Sequence, residues 1–422
     1  MSNTTTEKLQ NILIMGAGLA GLTLANYLQL HNIPYQVYER DASANVRPQG
    51  WSITLNFALK ALKQCLPEEA FEDLNTKIST IPEKDEGLSF SFCDANTSES
   101  LMTRFFEPGT SYRANREHLR NWLLERVKDN VNWGKKVLQF QEDKDAKTVT
   151  VFFEDGTQAT GDLLVGCDGI RSPIASQLLG GKEEMEKLTV PLPIDSFGVL
   201  HWVSEETWLR ISSNPNYIAV LNGQHEQVEG VKGKVFNMFC SVKNIDRTRP
   251  DSYCISWSVS HYSGLPSSKK QLEDFSAEKL ALTKLWAANG FHSGSLYQDL
   301  IMSTPDDTTL YPITVQDRYP IAEKIAAPGS RVVLVGDSAH PMTMFKGEGG
   351  NHAMVDAANL GTELLRAYQG EKSIIDALNT YNAEMIERGG KAVQESHDFA
   401  MMVHTNPELM LNTIRSSVFQ RI

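Results

Sequence analysis

The sequence predicts an α/β chain: a Rossmann-like domain on a parallel sheet, an inserted and mainly antiparallel β-sheet domain, and helices at the C-terminus. Three observations carry this. A strand, a glycine loop, a helix and a second strand follow one another over residues 11–39. A second apolar strand with its own glycine-rich segment lies at 331–351. Between about 188 and 300 the texture changes to strand-like runs with period-two alternation.

The first unit is the most readable. Residues 11–15 (Asn-Ile-Leu-Ile-Met) form a short buried strand, followed at once by Gly16-Ala17-Gly18-Leu19-Ala20-Gly21 and an apolar helix through Leu28. Gly16 allows the tight turn, Gly18 lets backbone N–H groups approach a pyrophosphate, and Gly21 lets helix and strand pack closely. The helix N-terminus adds partial positive charge for the phosphates. A second strand at 35–38 ends at Glu39, at roughly the twenty-residue spacing of an acid that accepts from a ribose hydroxyl. Arg40 beside it is a further cofactor candidate. The alternative is an ordinary glycine-rich turn with a solvated Glu39.

Later elements follow in order. A candidate strand at 88–92 belongs to the inserted domain. The chain returns near Tyr112 with a helix over 116–128. Asp155-Gly156 between two apolar runs signals a hairpin, which feeds a strand ending at Asp168. Strands are expected at 196–203, 217–221, 235–242 and 253–261, and a helix at 269–288. Residues 331–335 read as a buried parallel strand with Asp337 just past its C-terminal end, where ligands of such sheets bind. Helices at 351–367 and 373–401 close the chain. The expected division is 1–81, 105–187 and 301–372 for the discontinuous nucleotide-binding domain, 82–104 and 188–300 for the substrate domain, and 373–422 for a helical segment.

The pair of glycine segments points to the cofactor. A nicotinamide dinucleotide needs only the first. FAD also carries a ribityl chain and an isoalloxazine ring, and a second loop suits that far end. Asp337 can accept from ribityl hydroxyls, and the helix N-terminus near Gly349, Gly350 and Asn351 suits negative charge on a reduced flavin.

Three stretches resemble the single-component, FAD-dependent aromatic hydroxylases, the group A flavoprotein monooxygenases. They are the N-terminal glycine motif, Leu163-Leu164-Val165-Gly166-Cys167-Asp168-Gly169-Ile170-Arg171-Ser172, and Gly336-Asp337-Ser338-Ala339-His340-Pro341 running on to Gly347-Glu348-Gly349-Gly350-Asn351. Asp168-Gly169 with Ser172 is similar to the family motif implicated in FAD and NAD(P)H binding. Arg116 matches the family arginine that opens a helix and contacts FAD, and Arg47 resembles an arginine in the loop bordering the flavin. Two positions depart from the pattern: Ala175 stands where the family usually has arginine, and Met344 where it usually has proline.

The resemblance implies a Rossmann-like FAD-binding domain and a monooxygenase. NADPH or NADH would reduce FAD, and O2 would give a C4a-hydroperoxyflavin that transfers one oxygen atom to an apolar, aromatic or polycyclic small molecule. Epoxidation and Baeyer–Villiger insertion use the same flavin chemistry and stay open. A flavin-binding regulatory protein without turnover is the reading from another class. No obligatory acid or base is assigned; His201, Arg210, Tyr217 and His261 are the polar candidates for orienting a substrate. His340 reads as a loop anchor rather than a base. Aromatic residues of the inserted domain are expected mostly in its core, with some lining an apolar pocket.

Bulk properties bound the rest. The 422 residues allow two or three domains. A net charge of −12 argues against nucleic-acid partners and an anionic membrane surface. No run of about 18 apolar residues occurs. The five cysteines are scattered and the histidines lack metal-ligand spacing, so a cytoplasmic protein without disulfides or metal is expected, as monomer or homodimer.

Overall fold

The computed structural model describes residues 9–47, 50–80, 88–94, 97–211, 216–224, 235–266, 276–291, 294–406, 408–410 and 412–413. Its centre is a five-stranded parallel sheet in the order Val332–Leu334, Leu163–Gly166, Ile12–Met15, Tyr35–Tyr38 and Val131–Asn132. The neighbouring strands Ile12–Met15 and Leu163–Gly166 are buried throughout. This is why they are continuous apolar runs: helices cover both faces of such a sheet. The helix Leu19–Leu30 is buried from Leu19 through Leu28. The helix Gly349–Tyr368 lies close against it; a β-carbon at Gly361 would sit 2.6 Å from the Tyr27 ring. A three-stranded antiparallel sheet, Val137–Asp143, Thr148–Phe153 and Gln158–Gly161, feeds Leu163–Gly166.

The second sheet has seven strands. Their order is Tyr311–Asp317, Val190–Val203, Tyr253–Tyr262, Val235–Ile245, Asn216–Gln224, Leu88–Asp94 and Ser100–Phe106. All pairs are antiparallel except Asn216–Gln224 with Leu88–Asp94. The sheet takes in Tyr311–Asp317, part of the 301–372 stretch that the expected division places in the nucleotide-binding domain. The helix expected at 116–128 ends at Glu125, with a short 3₁₀ turn at Lys128–Asn130. Of the helix expected at 269–288, Ser276–Gly290 is observed and 269–275 lies outside the described residues.

Period-two alternation gives this sheet two different faces. Val199, Val203, Met238, Cys240, Val242, Ile255, Trp257 and Val259 pack with Trp208, Leu280, Leu300 and Ile301 from a covering helical layer. The opposite face turns toward the parallel domain and carries small polar groups. Its cross-strand rows are Leu200–Ser256–Ser241, Gly198–Ser258–Phe239 and Ser196–Ser260–Asn237. The helix Ile374–Thr405 joins the two domains. Its Tyr381 hydroxyl donates to Leu334 O at 2.8 Å in the parallel sheet. Ala400 packs with Leu192, Ile194 and Val315 of the antiparallel sheet. The helix Ile374–Thr405, within the helical segment expected at 373–422, thus touches both sheets.

Candidate active site

Gly16 has φ +112, and a β-carbon there would lie 2.5 Å from Cys167 O. Only glycine fits, and the contact sets the first turn against Asp168. Gly21 allows the same intimacy between helix and loop, its would-be β-carbon 2.0 Å from Gly16 O. Gly18 faces open space, and no side chain caps the helix that follows. Its first N–H groups are therefore left for a ligand. Glu39 is buried; its Oε2 accepts from Ala17 N at 2.8 Å and its Oε1 from Asp41 N at 3.0 Å. Arg40 is exposed beside it and adds positive charge toward Asp168.

The second glycine segment comes to the same place. A β-carbon at Gly336 would lie 2.7 Å from Ala353 Cβ and 3.7 Å from Ala20 Cβ. One at Gly350 would lie 2.4 Å from Ile53 Cδ1 and 3.8 Å from Leu19 Cδ1. The two remote turns thus meet across Leu19 and Ala20. Asp337 lies 3.8 Å from the corresponding point on Gly349. Gly347 turns with φ +65 and faces open space. Asn351 is a clasp: its Nδ2 donates to Thr54 O at 2.8 Å, and its Oδ1 accepts from Asn56 N at 3.0 Å. It holds the helix N-terminus to the strand Ser52–Leu55.

Asp337 and Arg116 share a groove that is deep yet open to solvent. Burial raises the Asp337 pKa, opposed by His340 and Arg116. Burial lowers the Arg116 pKa, opposed by Asp337. Asn115 caps the helix that Arg116 opens, accepting from Glu117 N at 3.0 Å. A β-carbon at Gly50 would meet Arg116 Nη1 at 3.1 Å. Arg47 is turned toward Asp41, 2.8 Å away, although its charge is still felt at Arg116.

Asp168 follows the central strand Leu163–Gly166, and its two oxygens are buried beside Ser172 without a hydrogen bond of good geometry. Burial raises its pKa to about 6, with Ser172 and Arg40 opposing. An orphaned carboxylate beside the first glycine turn, an uncapped helix N-terminus and an acid–arginine groove are what a bound dinucleotide would complete. The residues present fit FAD.

His340 is an anchor. Its Nε2 lies 2.7 Å from Asp356 Oδ2, which also accepts from Gly336 N at 2.7 Å. Arg388 Nη2 donates to Asp356 Oδ1 at 2.5 Å. Burial would lower the His340 pKa, but Asp356 outweighs it and the pKa rises. Met344 is 38% exposed. Around it, Thr343 donates to Ser396 O at 3.0 Å and Phe345 packs on the His404 ring, seating the loop on the C-terminal helix.

The sequence pattern does not single out Arg120 or Arg318, which brace the loops. Arg120 donates from Nε to Ala17 O at 2.8 Å and from Nη1 to Ala44 O at 2.9 Å. Arg318 donates from Nη2 to Ser338 O at 3.0 Å and from Nη1 to Thr189 Oγ1 at 3.2 Å. Arg120, one turn after Arg116, could have been found by helical spacing; nothing in the pattern marks Arg318.

The substrate candidates scatter. His201 and His261 share strand parity with Val199, Val203 and Val259, on the helix-covered face and away from the glycine loops. Arg210 is exposed on the helix Glu205–Ile211 of that layer. The backbone of Tyr217 is in the strand Asn216–Gln224, while its side chain lies outside the description. Phe197, Trp208 and Trp257 are core. On the other face, Trp51 packs on Gly198, and Phe239 sits beside Arg113.

Among the described residues no helix is long and apolar enough to cross a membrane, and no cluster could hold a metal.

A family model described as FAD binding domain matches residues 10–260 and 290–396. The FAD-dependent monooxygenase dbaB of Emericella nidulans is 31% identical over 401 residues, covering 94% of this chain and 97% of that one. The FAD-dependent monooxygenase thnD of Trichoderma harzianum is 30% identical, covering 92% of each. Klebsiella pneumoniae HpxO, solved with FAD and uric acid, shares the fold at 21% identity and a TM-score of 0.72, covering 98% of this chain and 93% of that one. The glycine loops and their orphaned carboxylate thus have relatives across nearly the whole chain, which belongs to the FAD binding domain family and is an FAD-dependent monooxygenase.

Proposed function

We propose that the chain uses NADPH, or NADH, and O2 to place one oxygen atom on an apolar, aromatic or polycyclic small molecule held between the glycine loops and the antiparallel sheet. The observation that carries this is the meeting of the two glycine turns across Leu19 and Ala20, with Asp337 and Arg116 between them and the sheet opposite. FAD, when bound, supplies hydride acceptance and oxygen activation.

The chain's own residues do the rest. Glu39 and the first turn would hold the adenosine end, Asp168 the middle, and Asp337 the ribityl hydroxyls. Arg116 would offset negative charge in the groove. The uncapped N-terminus of Gly349–Tyr368 would favour an anionic ring. Trp51 and the loop carrying Met344 would limit water, which oxygen transfer requires. Five free, buried cysteines support a reducing, cytoplasmic setting.

The purified protein should be yellow, consume NADPH faster with substrate, and incorporate label from molecular oxygen. Label arriving from water would overturn oxygen transfer. Asp337→Ala should weaken FAD binding by roughly ten-fold or more, the worth of charged hydrogen bonds. Unchanged flavin content after gel filtration would remove Asp337 from the ribityl site.

A further inference from the structure

Arg113 lies in the strand Tyr112–Asn115, paired with Ser52–Leu55, on the side that meets the antiparallel sheet. It is 7% exposed. Its Nη2 donates to Ser52 Oγ at 2.6 Å and Ser241 Oγ at 2.8 Å, and its Nη1 to Thr54 Oγ1 at 2.9 Å. The guanidinium stands over the Phe239 ring, 5.6 Å from its centre. Nε has no partner. Among the described residues no carboxylate faces it, and burial lowers its pKa to about 9. The group therefore stays charged at neutral pH.

A buried cation held by neutral hydroxyls is costly, because desolvation is not offset by an opposite charge. Its neighbours tell where an anion would come from. The row Gly198–Ser258–Phe239 runs beside Ser241, about 7 Å away along the strands. Ser258 and Phe239 are half-buried, whereas Ser241 and Ser256 are buried. Gly198 and Ser258 are small, Ser258 and Phe239 keep some solvent exposure, and Trp51 packs over the Gly198 end of the row. Arg113 stands at its edge, on the strand pair whose Ile53 touches Gly350 of the second glycine turn. Serine and threonine hydroxyls rotate, so they can yield an N–H or themselves donate to an arriving oxygen.

We propose that Arg113 anchors an anionic oxygen of the substrate, a phenolate, enolate or carboxylate, where this strand pair meets the sheet. The proposal rests on the monooxygenase reading of the same site. It gives that site a charge preference which His201, Arg210 and His261, all on the helix-covered side, do not supply. A mere strut between the domains would contribute to stability without any preference for charge.

The test uses the holoenzyme and two matched probe pairs: para-nitrophenolate against para-nitroanisole, and naphthoate against naphthamide. Binding is read by calorimetry and by perturbation of the flavin spectrum. The wild type should bind at least one anion roughly ten-fold more tightly than its neutral partner. Arg113→Gln should abolish that preference while leaving the neutral probe unchanged, and Arg113→Lys should keep part of it. Preference within the first pair identifies a phenolate or enolate site, and within the second a carboxylate site. If Arg113→Gln does not fold, weaker anion binding by Arg113→Lys with neutral binding unchanged decides in favour. Indifference to charge in the wild type, or a preference surviving in Arg113→Gln, overturns the proposal. A colourless wild type would defeat the cofactor reading itself; a yellow protein indifferent to charge defeats only this one.

Discussion

Arg120 spends its charge on two backbone carbonyls, Ala17 in the first glycine turn and Ala44 in the following loop. Its pKa is lowered by burial, and Glu39 and Asp41 act against this. Because Glu39 accepts from Ala17 N while Arg120 donates to Ala17 O, both sides of one peptide in the turn are fixed. Arg120→Met should leave the fold intact and loosen that peptide. FAD titration of the apoprotein should show affinity reduced by roughly ten-fold to a hundred-fold; an unchanged Kd would show the turn to be rigid without it. The glycines and Glu39 were legible because turn geometry leaves a spacing in the sequence. Arg318 was not, since a side chain reaching carbonyls of distant loops leaves no local pattern. His340 was legible as an anchor, but its partners Asp356 and Arg388 come from two later helices.

At the scale of elements, position 175 changes meaning. The resemblance treats Ala175 as a missing arginine beside the nucleotide. In the structure it is fully buried in the helix Pro173–Leu179, where its N–H donates to the capping Ser172 at 2.8 Å. Ala175→Arg would bury an unpaired charge, so it should destabilise the protein by about 3–5 kcal/mol rather than improve NADPH binding. Denaturant unfolding and the KM for NADPH together check this: intact stability with a lower KM would mean the helix can turn the position outward. The antiparallel sheet teaches a related lesson. Alternation at 253–261 was plain in the sequence and is observed, yet alternation alone does not say which face another layer will cover. The helical layer covers the face of Ile255 and Trp257, which carries His201 and His261 away from the glycine loops and leaves serines toward them. That choice depends on where remote helices pack, which period two cannot encode.

Across the whole molecule, His404 ties three parts together. Its Nδ1 donates to Ala400 O at 2.6 Å, its Nε2 accepts from Ser260 Oγ at 2.8 Å, and its ring packs on Phe345 of the second glycine segment. This pattern requires the neutral ring, and burial depresses the pKa to about 4 from an ordinary 6.5. The unfolded chain therefore binds a proton that the folded one refuses between those values, and stability must rise with pH there. The contribution is complete above 6.5, is lost as pH falls toward about 4, and stays constant below. His340 does not offset this, because its raised pKa leaves it protonated in both states throughout the window; its stabilisation is lost only as pH climbs through that raised value. Asp168 and Asp337, both raised by burial, pull the opposite way at acid pH, so the wild-type curve alone is a poor readout. The comparison with His404→Gln isolates the histidine, since glutamine has no proton to gain. Relative to that variant, wild-type stability from denaturant titrations should fall by up to about 1.4 kcal/mol per pH unit between 6.5 and 4. A difference that stays flat across the window would mean His404 is protonated in the folded state. The bond to Ser260 would then have to be drawn the other way, with Nε2 donating to the hydroxyl.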